Sequence, residues 1–171
     1  MIYVVGCDHE IQSSAPAFML APDSPAVSRQ RDNFRRLLDR MSSDEKVDLV
    51  AEEWGCESES FAKALADERL TRYVNINTES GDLDVLQIPR DYMGSLNYTA
   101  DQKRGWLQKR ETFMLEKIHN ARGAARTLLV ICGFIHLKPL AERLGDGEQV
   151  IAVDYRKEAW YRGDVFFPDS F

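Results

Sequence analysis

The stretch TLLVICGFIHLKPLAERLG, Thr127 to Gly145, decides how this chain is read. Leu128 to Cys132 form an unbroken apolar run, which fits a strand buried on both faces and hence the middle of a parallel sheet. Gly133 ends the run and His136 follows three residues later. Pro139 fits the first turn of a helix that Gly145 stops. His136 is thereby expected between the carboxyl end of a strand and the start of a helix, the edge at which open α/β sheets bind their ligands. The chain opens on the same arrangement. In MIYVVGCDHE the strand Ile2–Val5 leads to Gly6 and, three residues on, to His9.

With 3 His and 10 Gly among 171 residues, two histidines preceded at that spacing by glycine arise by accident about one time in a hundred. A strand before each makes the accident rarer. Either G-x-x-H alone reads as a structural histidine after a strand-ending glycine; the pair marks a site.

The size, 171 residues with 44% hydrophobic and 29% charged positions, predicts a single globular domain over 1–171, and the buried strands followed by helices predict an α/β fold with a mostly parallel sheet flanked by helices. No apolar run is long enough to span a bilayer, and the first residues read as a strand rather than a signal peptide, so no membrane association is expected. A net charge of −6 argues against nucleic acid as the main ligand. Three cysteines without a C-x-x-C suit free thiols in a reducing cytoplasm. Cys7 and Cys132, beside the two glycines, read as small core residues.

Between His9 and the next helix lies EIQSSAPAFMLAPDSP, a long segment in which Phe18, Met19 and Leu20 fit either a lid or an anchor. Ser24-Pro25 starts a helix with Phe34, Leu37, Leu38 and Met41 on one face, ended by Ser42-Ser43-Asp44. The strand KVDLVA delivers Glu52 and Glu53 to its carboxyl end. The pleat sends them to opposite faces, so one of the two is expected at the site, and Glu52 is the choice. Ser58 or Ser60 caps a helix carrying Phe61, Leu65 and Leu70, and TRYVNIN reads as a third strand. Thr78 to Asn97, with Arg90, Asp91 and Tyr92, reads as irregular. The longest helix starts at the Thr99-x-x-Gln102 capping box and runs to about Arg122. Its apolar stripe is Leu107, Met114, Ile118 and Ala121, and Arg110 and Glu111 occupy the stripe between the first two. Charges there are paired or aimed into a cavity, or a long side chain snorkels from the rim. His119 falls off the stripe and reads as a surface residue. QVIAVDY is the last strand. The tail with Trp160, Tyr161, Phe166 and Phe167 is expected to pack on the sheet or to join copies of the chain into a homo-oligomer.

In this order, GCDH after a strand, Glu after a strand, RETFM on a long helix and GFIH after a strand resemble one superfamily. It contains the Tiki and TraB/PrgY proteins, the erythromycin esterases and the ChaN-like haem-binding proteins. The matching elements are Gly6-Cys7-Asp8-His9, Gly133-Phe134-Ile135-His136, Glu52 at the end of the second strand, and Arg110 to Met114 on the helix. The resemblance implies an erythromycin esterase- and ChaN-like fold. It also implies either the metal-dependent, peptidase-like activity of Tiki or the metal-free ester hydrolysis of the esterases, with a histidine as general base. Cys-Asp and Phe-Ile replace the family's small residues between Gly and His. The large helical insertions that enclose a macrolide are missing, so a small-molecule or peptide substrate is expected instead.

Two imidazoles and a carboxylate, His9, His136 and Glu52, would suit a divalent ion such as manganese, cobalt or zinc, with water on an open position. Arg110 would stabilise an oxyanion, and Glu111 or Glu53 would orient or deprotonate the water. Without metal, His9 would be the general base, oriented by Glu52, with His136 and Arg110 as electrostatic partners. The competing class is a ligand-binding or regulatory protein holding a cofactor such as haem.

Overall fold

The computed structural model describes residues 1–14, 24–56, 58–156 and 158–162. Phe18, Met19, Leu20, Phe166 and Phe167 lie outside them. Five strands, β1 (Ile2–Cys7), β2 (Leu49–Glu52), β3 (Arg72–Asn75), β4 (Leu128–Gly133) and β5 (Val150–Asp154), form one parallel sheet in the order β3-β2-β4-β1-β5. The two strands that end in the G-x-x-H motifs are neighbours, with Gly6 opposite Cys132 and Cys7 opposite Gly133. Every residue of β1, β2 and β4 is buried, as the continuous apolar runs require of strands covered on both faces.

Helix α1 (Pro25–Asp44) is capped by Ser24, whose hydroxyl accepts from the Val27 N–H at 3.3 Å, and has Pro at its first position. Its buried stripe of Phe34, Leu37, Leu38 and Met41 packs with α2 (Phe61–Glu68, capped by Ser60) against Tyr3, Val5, Val50, Leu129 and Ile131. The opposite face of the sheet, Ile2, Val4, Leu49, Ala51, Leu128 and Val130, is covered by α4 (Ala100–Arg122) and α5 (Phe134–Leu144). Right-handed crossovers account for this division. The connections after β1 and β2 run toward the β3 edge across one face; those after β3 and β4 run toward the β5 edge across the other. The chain therefore changes winding direction between β2 and β4. Such a switch point opens a crevice at the carboxyl ends of the strands.

Several local expectations are corrected. Gly133 itself is the N-cap of α5, so the helix begins at Phe134 and His136 sits in its first turn rather than before it. Pro139 lies inside the helix, one turn later than expected, and leaves the Ile135 carbonyl without its usual helical N–H partner. Leu70 is not part of the apolar face of α2. It follows the helix end with φ +54° and is 93% exposed. A short helix, α3 (Ser80–Val85), closed by a capping box at Glu79 and Asp82, stands in the segment read as irregular. Trp160 and Tyr161 pack on the α1 side of the sheet, where the Asn33 side chain donates to the Trp160 carbonyl at 2.6 Å. No helix among the described residues is long and apolar enough to cross a membrane.

A candidate active site built on Glu53

At the carboxyl end of β2 the pleat separates the two glutamates, as expected, but the one that faces the histidines is Glu53. Glu52 shares the face of Val50, beneath α1 and α2, whereas Glu53 emerges on the side of α4 and α5. Since α4 carries Arg110 and Glu111 and α5 carries His136, only Glu53 can meet them. The placement of Glu52 beside the two histidines is thus corrected, for a reason that lies in the covering helices rather than in the strand.

The Glu53 carboxylate is buried, and both of its oxygens accept hydrogen bonds. Oε1 accepts from Arg110 Nη2 at 2.8 Å, and Oε2 accepts from the Gly133 N–H at 2.8 Å. His136 Nε2 lies 3.6 Å from Oε1 and His9 Nε2 4.0 Å from Oε2. Both spacings are longer than a hydrogen bond. The two G-x-x-H motifs therefore converge on one carboxylate, as their repetition implied. Gly133 makes the convergence possible: a Cβ there would stand 3.2 Å from His9 Nε2 and 3.4 Å from Glu53 Oε2. Burial pushes the Glu53 carboxyl up. The His136 and His9 rings, the Arg110 guanidinium and the Gly133 N–H together outweigh it, so the group lies below the usual carboxylate range.

The Arg110 and Glu111 pair on α4 does face the site. Arg110 Nε donates to Thr78 Oγ1 at 2.8 Å, Nη1 to the Tyr92 hydroxyl at 2.7 Å, and Nη2 to Asn77 Oδ1 at 3.3 Å as well as to Glu53. Glu111 is buried, with Oε1 3.0 Å from His136 Nδ1. The other ring nitrogen of His136, Nε2, is buried with no hydrogen-bond partner among the described residues. The side chain of His136 is only 1% exposed, while that of His9 is 36% exposed, so His9 is the imidazole a substrate can reach.

Glu52 stands on the other side of the strand in a polar cluster of its own. It accepts from Gln12 Nε2 at 3.0 Å, from the Tyr73 hydroxyl at 2.8 Å and from the Ser60 hydroxyl. Burial pushes its carboxyl up to about 7 against the lowering effect of those three bonds. Cys7 and Cys132 are buried free thiols that burial pushes well above their usual range, which suits core residues rather than nucleophiles. His119 is exposed in the last turn of α4.

The pattern reading missed Gln12, Ser60 and Tyr73 around Glu52, and Asn77 and Thr78 around Arg110. Their signals are weak: each is a common polar residue that becomes informative only when a buried charge is known to lie beside it. Comparison of the chain with protein-family models, curated proteins and solved structures returns no match.

Proposed function

We propose that the cluster of His9, Glu53, Arg110 and His136 is the active site of a hydrolase acting on a small ester, amide or peptide, of the kind the Tiki, TraB and erythromycin esterase resemblance implies. The observation that carries the reading is the convergence of the Nε2 atoms of His9 and His136 on Glu53, with Arg110 on the same carboxylate. His9, the accessible ring, takes the proton of a water whose oxygen attacks the substrate carbonyl carbon. Glu53 stabilises the imidazolium that results, as a buried carboxylate does for a general base. Arg110 keeps an N–H of Nη1 beyond its four hydrogen bonds. That group, fixed by Thr78 and Tyr92, is available to the developing oxyanion. The proton on His9 then passes to the leaving oxygen or nitrogen. His136, held by Glu111 and closed to solvent, acts on Glu53 and touches no substrate.

The unpartnered, buried Nε2 of His136 favours a second form of the same reading, in which a divalent ion joins the site. No three His, Cys, Asp or Glu side chains among the described residues are already drawn together around an ion position. The donor chemistry fits nonetheless. Each ring holds its Nδ1 against an oxygen, His9 on Gln12 and His136 on Glu111, which is how proteins orient imidazoles whose Nε2 binds metal. His9, His136 and Glu53, in place of Glu52, would hold the ion. When bound, manganese, cobalt or zinc would supply Lewis acidity and lower the pKa of a coordinated water.

One experiment separates these forms. Purified protein, stripped with a chelator and reloaded singly with manganese, cobalt or zinc, is assayed on a panel of esters and peptides beside His9→Ala. Hydrolysis that survives the chelator and is lost in His9→Ala supports the metal-free base. Hydrolysis restored only by an ion supports the metal form. If no substrate turns over in any state, the hydrolase reading fails and a ligand- or haem-binding role takes its place.

A further inference from the structure

Gln12 has no step in the reaction above, yet it is fully buried between the Glu52 carboxylate, the Glu53 main-chain carbonyl and the accessible histidine. It follows the single 3-10 turn His9–Ile11 that leaves β1. Its main-chain carbonyl accepts from the Phe61 N–H at the start of α2, at 2.8 Å, so the residue is anchored at both ends.

The two ends of its amide meet different surroundings. Nε2 lies 3.0 Å from Glu52 Oε1 and 3.3 Å from the main-chain carbonyl oxygen of Glu53. That carbonyl is an acceptor whatever the charge on Glu52, so turning the amide over would set oxygen against oxygen. Oε1 is therefore the end that faces the ring, 2.6 Å from His9 Nδ1. An amide oxygen only accepts, and Nδ1 must carry the proton. In a neutral imidazole the bare nitrogen is then Nε2, which is the atom facing Glu53 and the space left by Gly133.

We infer that Gln12 is a positioning residue: its amide, oriented by Glu52 and the Glu53 carbonyl, fixes His9 as the Nδ1–H tautomer and presents a bare Nε2 to the site. The arrangement does through an amide what the buried carboxylate of a catalytic triad does directly, and it adds no charge beside Glu53. The consequence for rate rests on the hydrolase reading. The tautomer itself does not.

The chain has 3 His, so ring-labelled [15N]histidine gives a spectrum in which each imidazole can be followed without substrate. Long-range 1H–15N correlations at about pH 8, where an ordinary imidazole is neutral, report which nitrogen of each ring is protonated; His9→Ala identifies the His9 signals. Wild-type protein is expected to show His9 protonated on Nδ1, while exposed His119 averages both forms. Gln12→Met, of similar length but without the acceptor, is expected to move His9 toward the Nε2–H form and leave His136 unchanged. If Gln12→Met does not fold, Gln12→Asn, which keeps a buried amide but withdraws its oxygen from the ring, is expected to do the same. On a hydrolysed substrate the folded variant should lose about 10- to 100-fold in kcat with little change in KM. A wild-type His9 protonated on Nε2, or an unchanged tautomer in the folded variant, overturns the inference. The predicted tautomers without hydrolysis of any substrate would leave Gln12's role standing and remove the hydrolase reading instead.

Discussion

Replacing Glu52 by Gln should make the stability of this protein less dependent on pH, by an amount the structure allows to be worked out. Glu52 is fully buried, and its carboxyl is raised from 4.5 to about 7, chiefly by burial. An acid raised in the folded state binds its proton more tightly there than in the unfolded chain. Stability therefore falls as pH rises. Below about 4.5 the group is protonated in both states and costs nothing; above about 7 it is ionised in both, and the folded state carries the full penalty. The difference between those values corresponds to about 3 kcal/mol, lost between about pH 4.5 and 7.

Glu53 complicates the raw curve, because its carboxyl is lowered and its contribution has the opposite sign: present above the unfolded value and lost as pH falls. The difference between wild type and Glu52→Gln isolates the one group. The variant also loses part of the bonding to Gln12, Ser60 and Tyr73, an offset of about 1–3 kcal/mol that does not vary with pH in this range. Urea denaturation of both proteins, at steps from about pH 4 to pH 8, should show wild type losing about 3 kcal/mol relative to the variant, most steeply between about 4.5 and 7. A difference that stays flat within about 0.5 kcal/mol would mean that Glu52 titrates alike folded and unfolded, and that its three hydrogen bonds cancel its burial.

Arg110→Met leaves the buried Glu53 charge without its partner and should cost about 3 kcal/mol in denaturation; adding Glu53→Gln should recover part of that, and a double-mutant cycle measures the coupling. Gly133→Ala introduces no backbone strain, since φ is −59°, but its Cβ reaches His9 Nε2 at 3.2 Å. The half-exposed ring can give way, so a stability change of less than about 1 kcal/mol should accompany a large loss of hydrolysis. His136→Ala should weaken manganese, cobalt or zinc binding in calorimetric titration of the chelator-stripped protein, because it removes a buried nitrogen that has no hydrogen-bond partner among the described residues.

Local signals in the sequence were the legible ones. Ser24-Pro25 and Thr99-x-x-Gln102 each cap the helix expected of them, and Ser60 is the one of Ser58 and Ser60 that caps α2, because a cap depends on residues within one turn. The parallel sheet followed from apolar runs that alternation cannot explain, and the two G-x-x-H strands are indeed neighbours. Periodicity singles out Arg110 and Glu111, since both interrupt an apolar stripe, but leaves pairing, a cavity and snorkelling open; the structure pairs Arg110 with Glu53 and Glu111 with His136. What could not be read was which face that stripe covers. Period two says that Glu52 and Glu53 part company; it does not say which one turns toward α4 and α5. That choice depends on the strand order and on the hand of four crossovers, which no stretch of sequence encodes alone. The start of α5 differs from the pattern for a smaller reason: Gly133 both ends the strand and caps the helix, which draws His136 into the first turn.

Two successive residues at the carboxyl end of β2 carry buried carboxylates that point to opposite faces. Their surroundings push their titration apart: the two imidazoles, Arg110 and the Gly133 N–H hold Glu53 low, while Glu52 has only neutral donors and burial raises it to about 7. Pairs of groups separated in this way are where acid–base roles are commonly divided. A structural ion pair needs Glu53 and Arg110 alone. It does not need a second carboxylate, 0% exposed, whose contact with His9 runs through one amide. Glu52 costs the fold stability above pH 7, and what it gives in return is an acceptor for the buried donors of Gln12, Ser60 and Tyr73. Its place beside Gln12 makes sense if the orientation of His9 matters more than that stability, which is the trade expected of the proposed site.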